Sequence, residues 1–173
     1  MGFTLYDATI LTAKAALSSL TNVLKLAEQQ PNSANLLTAQ LYEDMKPLTF
    51  QVHQVTQKAE DLVARLTLRE AEKFENDFSS FADFYARIDK ALKSLDAVDK
   101  DTINTRGEEL APTKIGPSKE FNITGATYAN ATVIPNIYFH LSIAYAILRK
   151  EGVPLGKRDY LTSFLGLNVN LQQ

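Results

Sequence analysis

The chain has 173 residues, with 18 basic and 20 acidic side chains, a formal net charge of −2, no Cys, no Trp and two His. The near-balanced charge removes the electrostatic case for a nucleic-acid binder, and the missing Cys removes disulfides, thiolate catalysis, Cys-ligated zinc and iron–sulfur clusters together. With 45% hydrophobic residues there is material for one core, and a single domain is expected over residues 1–173.

Seven Gly and six Pro punctuate the chain sparsely, and the spacing of Leu and Ala predicts an all-α protein. A first helix is expected from about Leu5 to Gln29, carried by Ile10, Leu17, Leu20 and Leu24, with Pro31 ending it. Ala34 to Tyr42 reads as a short helix. Asp44 looks like the N-cap of a second long helix to Leu66, with Pro47 in its first turn, where a missing N–H does no harm. The charged run Arg65 to Asp77 reads as a solvated linker. Ser79 or Ser80 can cap a third helix, to about Val98, with Phe81, Phe84, Tyr85 and Ile88 on its core side. Asp99 to Thr124 lacks helical period, and Glu109–Ile115 and Lys119–Ile123 flank Gly116-Pro117-Ser118 as a small β-hairpin. Thr124 can cap the fourth long helix, which Gly152 and Pro154 end after Lys150. A short helix and an extended end should close the chain. The expected architecture is an up-down-up-down four-helix bundle with a hairpin excursion before its last long helix.

The N-terminus has no basic stretch, and Asp7 and Lys14 interrupt any apolar run, so no secretory signal is expected. Myristoylation at Gly2 would require Ser or Thr where Tyr6 stands. Phe121 to Leu148 contains no Asp, Glu, Lys or Arg and is long enough for a bilayer. It also contains Asn122, Thr132, Asn136 and His140, which fit hydrocarbon poorly, so the expectation is a cytoplasmic bundle in which this helix is the most enclosed. Without a secretory signal, the sequons at Asn122 and Asn130 carry no glycosylation argument.

Tyr128, Thr132, Asn136 and His140 recur every four residues, so they form one polar stripe on an otherwise apolar helix. A buried polar group without a partner costs about 1–3 kcal/mol, so the stripe implies a cavity, a network across the bundle, or both. Pro135 inside the stripe should kink the helix. His53, among Gln51, Gln54 and Gln57, either turns inward toward His140 or faces water. Two imidazoles on one cavity would make an acid–base pair or two metal ligands. Gly152-Val-Pro-Leu-Gly156-Lys157 has the wrong spacing for a phosphate loop, and Arg158 replaces its Ser or Thr, so it reads as a helix stop.

Several segments resemble a known family. Leu5-Tyr6-Asp7, Asp44-Met45-Lys46-Pro47-Leu48, Gln51-Val52, Ala64-Arg65-Leu66, and above all Pro135-Asn-Ile-Tyr-Phe-His140 with Ala144-Tyr-Ala-Ile-Leu-Arg149 and Gly152-Val-Pro-Leu-Gly-Lys-Arg-Asp-Tyr160 are similar to an uncharacterised family in the DinB/YfiT-like superfamily. The resemblance implies a four-helix bundle, commonly a homodimer. In the wider superfamily it also implies a three-His metal site, with one His on the second helix and a His-x-x-x-His pair on the fourth. Here His140 is similar to the second His of that pair, Asn136 stands where the first would be, and Gln51 or His53 occupies the remaining place.

Three functional readings follow. One is a small-molecule binder with a pocket between the second and fourth long helices. It would work as a metal-independent isomerase, lyase or hydrolase through His140, Asn136 and a phenol from Tyr128 or Tyr138, with a small organic molecule as partner and no cofactor. The second keeps a metal ion on His140, His53 and either Gln51 or Asn136, as a metal-dependent enzyme of thiol transfer or hydrolysis. The third is a non-enzymatic homodimeric scaffold.

Overall fold

The computed structural model describes residues 2–116 and 119–168. The chain begins with a π-helical turn, Asp7–Leu11, that runs into α1, Thr12–Glu28. It continues through the short α2, Ser33–Leu36, to α3, Leu48–Thr67, and α4, Phe81–Asp96. Then come α5, Lys100–Arg106, and the strands β1, Leu110–Ile115, and β2, Lys119–Thr124. The last long helix is continuous from Gly125 to Lys150: α6, Gly125–Tyr128, a π turn, Ala129–Val133, and α7, Ile134–Lys150. It is followed by α8, Lys157–Asn168.

The four long helices enclose one core. α1 packs on α4 and α7, and α3 packs on the same two from the opposite corner, so the first and second long helices sit diagonally. The long connection from α1 to α3 makes that crossing. Ile10 of the first π turn and Leu17, Leu20 and Leu24 of α1 meet Val52, Val55 and Leu62 of α3, Phe84 and Ile88 of α4, and Ile137, Leu141 and Ala144 of α7 in the buried cluster.

Local chemistry accounts for most boundaries. Ser80 caps α4 in a capping box: its hydroxyl accepts from the Asp83 N–H, and the Asp83 carboxylate accepts from the Ser80 N–H. The Thr124 hydroxyl accepts from the Thr127 N–H at the start of the last long helix. The hairpin lies as the spacing predicts, with Leu110 opposite Thr124 and Ile115 opposite Lys119. Pro117 and Ser118 of its loop, and the extended end after Asn168, lie outside the described residues.

Other boundaries differ from expectation. Helix α2 stops at Leu36 rather than Tyr42, because the chain folds back and the N–H groups of Leu48 and Thr49 donate to the carbonyls of Ala39 and Leu37. Asp44 caps nothing, and Pro47 itself is the extended residue before α3. Asp99 accepts from the Thr102 N–H and starts the unexpected helix α5, too short to show a period. The π turn precedes Pro135 and puts the proline in the first turn of α7, where its missing N–H is tolerated. The last long helix is also not the most enclosed. α1 carries the fuller buried face, whereas Pro135, Phe139 and Ser142 are exposed. Freedom from charge follows here from one apolar outer face as well as from core packing.

The charged linker is a pinned strap. Leu68 takes a left-handed conformation (φ 57°), which turns Arg69 back along α3. Glu60, 2% exposed, receives both terminal nitrogens of Arg69, the hydroxyl of Ser94 on α4 and the N–H of Glu72. Gln57 holds the next residues, donating to the Glu72 carbonyl and accepting from the Phe74 N–H. Arg87 lies over the rings of Phe74 and Phe78. Glu60→Ala should therefore leave one backbone N–H and one cation without their acceptor. Urea unfolding should show a loss of about 2–4 kcal/mol, and limited proteolysis should cut first between Arg69 and Ser79. A loss under about 0.5 kcal/mol would mean that the strap does not depend on this carboxylate.

Candidate functional site

Two members of the polar stripe meet polar residues of α3, His140 at Gln51 and Tyr128 beside Lys58, Asp61 and Arg65. Gln51, Lys58, Asp61 and Arg65 recur at three-, four- and seven-residue steps along the edge of α3, whose core side carries Val52, Val55, Ala59 and Leu62. α3 and α7 pack extensively on each other. The result is a polar seam beside the core, with His140 toward one end and Tyr128 toward the other.

At the His140 end, the imidazole Nδ1 lies 2.8 Å from Gln51 Oε1, and Gln51 Nε2 donates to the Lys46 carbonyl at 2.8 Å. Gln51 is 3% exposed, so its amide must be satisfied inside the protein. A carbonyl only accepts, so the amide nitrogen faces Lys46 and the amide oxygen faces His140. Nδ1 therefore carries the proton and donates, and Nε2 keeps a free lone pair. The ring of Phe50 packs edge-on, 6.0 Å from the imidazole. Burial among these groups, with the charge of Lys58 adding to it, lowers the His140 pKa from 6.5 to about 4. The residue is a neutral, tautomer-locked imidazole at physiological pH, half-buried. It offers an acceptor nitrogen and is already deprotonated as a base.

The other expected residues divide. Asn136 is half-buried and donates to the Thr132 carbonyl of its own helix at 2.7 Å. Tyr128 is buried, and its ring lines a cavity of about 490 Å³ between α3 and the hairpin. Its phenol pKa is raised to about 12 by burial and by Asp61, so it remains a donor. Tyr138 turns the other way, toward Phe164 of α8, and is 37% exposed. His53 also packs against Phe50, its ring 6.4 Å from that of the phenylalanine. Its pKa is lowered by burial and by Arg87 of α4, and its Nδ1 is buried without a partner. Among the described residues no contact joins the two imidazoles.

Gln51, not His53, thus meets His140. The residues do not fit the metal that a three-His site would hold. One imidazole nitrogen is bonded to an amide oxygen, His53 stands apart, and no group of three or more His, Cys, Asp or Glu is gathered among the described residues. Amide oxygens are weak ligands for zinc or nickel.

Sequence reasoning overlooked Lys58, Arg65 and Glu60. Arg65 donates from Nε to the Thr113 hydroxyl (2.9 Å) and from Nη2 to the carbonyls of Ile123 (2.5 Å) and Glu109 (3.2 Å), so one guanidinium fastens both strands to α3. The signal was present as the polar series of α3, opposite the stripe.

The four-helix bundle with its small hairpin is a DinB-like fold. Residues 5–161 match the model of a domain of unknown function, DUF1993, and the chain belongs to that family. It is similar to the crystal structure of a DinB family member protein from Shewanella denitrificans, with 30% identity over 91% of each chain and a TM-score of 0.81. No curated protein matches.

The His140 pKa gives a stability signature. An unfolded His protonates near 6.5, whereas the folded imidazole resists protonation down to about 4. Between these values the unfolded chain binds the extra proton, so the stability that His140 contributes above about pH 6.5 should fall as the pH is lowered toward 4. Unfolding of wild type and His140→Gln from pH 4 to 7.5 should show a shallower slope for the variant in that window. Parallel slopes, or an imidazole resonance titrating above pH 6, would contradict the buried, neutral ring.

Proposed function

We propose that the protein binds a small, uncharged organic molecule in the seam between α3 and α7, without a metal ion, and that His140 is its principal polar contact. The observation that carries this reading is the ordered relay from the Lys46 carbonyl through Gln51 to His140. A histidine whose tautomer is fixed by a buried amide presents Nε2 in one defined state, the arrangement a general base or a specific acceptor needs. Asn136 and Tyr128 are further polar groups along the same seam, whereas Tyr138, turned toward Phe164 of α8, takes no part in it. With its pKa near 4, His140 works as a base, and any isomerase, lyase or hydrolase activity would fall off below that pH. A cytoplasmic setting belongs to this reading. The test is mass spectrometry of the small molecules that co-purify with wild type, His140→Gln and Asn136→Leu. A compound enriched on wild type and lost from His140→Gln supports the reading; identical profiles on the folded variants refute it. Zinc or nickel at stoichiometric levels in protein prepared without chelator would instead favour the metal-dependent alternative.

The scaffold reading has its own support. Pro135, Phe139 and Ser142 are exposed on a helix whose segment from Gly125 to Leu148 has no charged side chain. A second copy can meet such a face about a two-fold axis without like-charge repulsion, and we propose a homodimer through it. Light scattering should give a dimer mass for wild type and a monomer mass for Phe139→Glu. A monomeric wild type at micromolar concentration, or a variant that stays dimeric, would remove this interface.

A further inference from the structure

At the Tyr128 end of the seam the chemistry changes sign. The cavity of about 490 Å³ is bounded by Lys58, Asp61 and Arg65 of α3, Thr113 and Lys114 of β1, and Tyr128, a volume within the range of small-ligand sites. Its charges are unevenly matched. Asp61 accepts from Lys58 at 2.7 Å and from Gln57 at 3.0 Å, so the Lys58 charge is answered there. Arg69, at the rim, is taken by Glu60. Arg65 receives only neutral acceptors, a hydroxyl and two carbonyls. The Glu109 carboxylate acts on Arg65 electrostatically without forming an ion pair among the described residues, and Arg65 Nη1 is buried with no partner. Lys114 has no ion pair among the described residues, although Glu120 is its neighbour across the hairpin. Lys58 and Arg69 are thus ion-paired at the cavity, whereas Arg65 and Lys114 have carboxylates only at longer range, Glu109 for the first and the cross-strand Glu120 for the second.

The rest of the site holds that arrangement open. The three bonds to both strands prevent Arg65 from swinging out to solvent. A Cβ at Gly125 would lie 2.9 Å from Leu66 Cδ2 and 3.3 Å from Arg65 Nη1, so the glycine is what lets the guanidinium sit against the start of the last long helix. Tyr128 brings a phenol to the same cavity and makes no hydrogen bond among the described residues. A fixed guanidinium, an exposed ammonium and a phenolic donor form a receptor for a compact oxyanion.

We propose that this cavity binds the phosphate or carboxylate group of a small anionic metabolite, held by Arg65, Lys114 and Tyr128. The proposal is independent of His140, which lies three helical turns further along the same helix.

The test follows backbone amides and the Arg65 Nε–H by NMR in low-salt buffer during titration with inorganic phosphate, phenyl phosphate and acetate. Saturable shifts confined to Thr113, Lys114, Arg65 and Tyr128 are expected. Lys114→Gln and Tyr128→Phe, which leave the strand-fastening bonds in place, should each weaken binding about three- to tenfold. His140→Gln and the surface control Lys25→Gln should leave it unchanged. Phosphates binding more than about tenfold tighter than acetate would identify a phosphomonoester site; the reverse order would identify a carboxylate site. Non-saturable shifts spread over the surface, or equal affinity in wild type, Lys114→Gln and Tyr128→Phe, would overturn the proposal, as would an equal loss in Lys25→Gln.

Discussion

A carboxylate sits at the middle of α3 with 2% of its residue surface exposed, and much of the irregular structure is the consequence. An ionised Glu at such a position is tolerated only if its oxygens are fully engaged. Glu60 meets that condition by drawing in Arg69, Ser94 and the backbone of Glu72, which obliges the chain leaving α3 to turn back through Leu68 and lie along the helix it has just left. The strap then delivers Ser80 to the start of α4. The same helix treats the other irregular segment in the same way, with Arg65 in place of Glu60. Neither the strap nor the hairpin has enough apolar surface to hold itself down. Each is held by a charged side chain of α3 that needed partners.

The seam follows from the same logic. α3 and α7 approach closely enough to bury Gln51 but not enough to bury His140 fully. A buried amide needs both a donor and an acceptor, so it links the carbonyl that precedes α3 to the imidazole across the interface. Desolvation keeps that imidazole neutral, and the amide decides which nitrogen holds the proton. A metal ion would require the lone pairs of several imidazoles to converge. What converges here is a proton donor on an oxygen acceptor, with the second imidazole against Phe50 and out of contact with the first among the described residues.

The bundle was legible because its evidence is repetitive: four long apolar series, a hairpin marked by Gly116 and Pro117, and caps at Ser80 and Thr124 are each set by local chemistry. The Tyr128 to His140 stripe was legible for the same reason. The partners of that stripe were not. Gln51 and His53 are two residues apart, and whether one or the other reaches His140 depends on the rotation of α3 about its axis, which the core packing decides. Helix α5 escaped because seven residues are too few to show a period. The strap read as solvated because its charges look outward in sequence, whereas their anchor, Glu60, lies inside the previous helix. Enclosure of the last long helix was overread, since a charge-free segment fits an exposed apolar face as well as a buried one.

The two ends of the seam differ in a way that limits what one ligand can do. At His140 the polar groups are neutral and their donors are committed, which favours an uncharged acceptor-poor partner. At Arg65 the donors exceed the acceptors, which favours an anion. A single molecule satisfying both would need a charged head and an uncharged body, with the reactive or recognised group placed about three helical turns from the charge. Polar groups that remain partly unsatisfied in the free protein carry a stability cost, about 1–3 kcal/mol for each buried donor left without an acceptor. Arg65 Nη1 is such a donor. That nitrogen is sealed against Gly125 at the start of the last long helix, so an anion in the cavity would be attracted by the charge of Arg65 rather than by a bond to this atom.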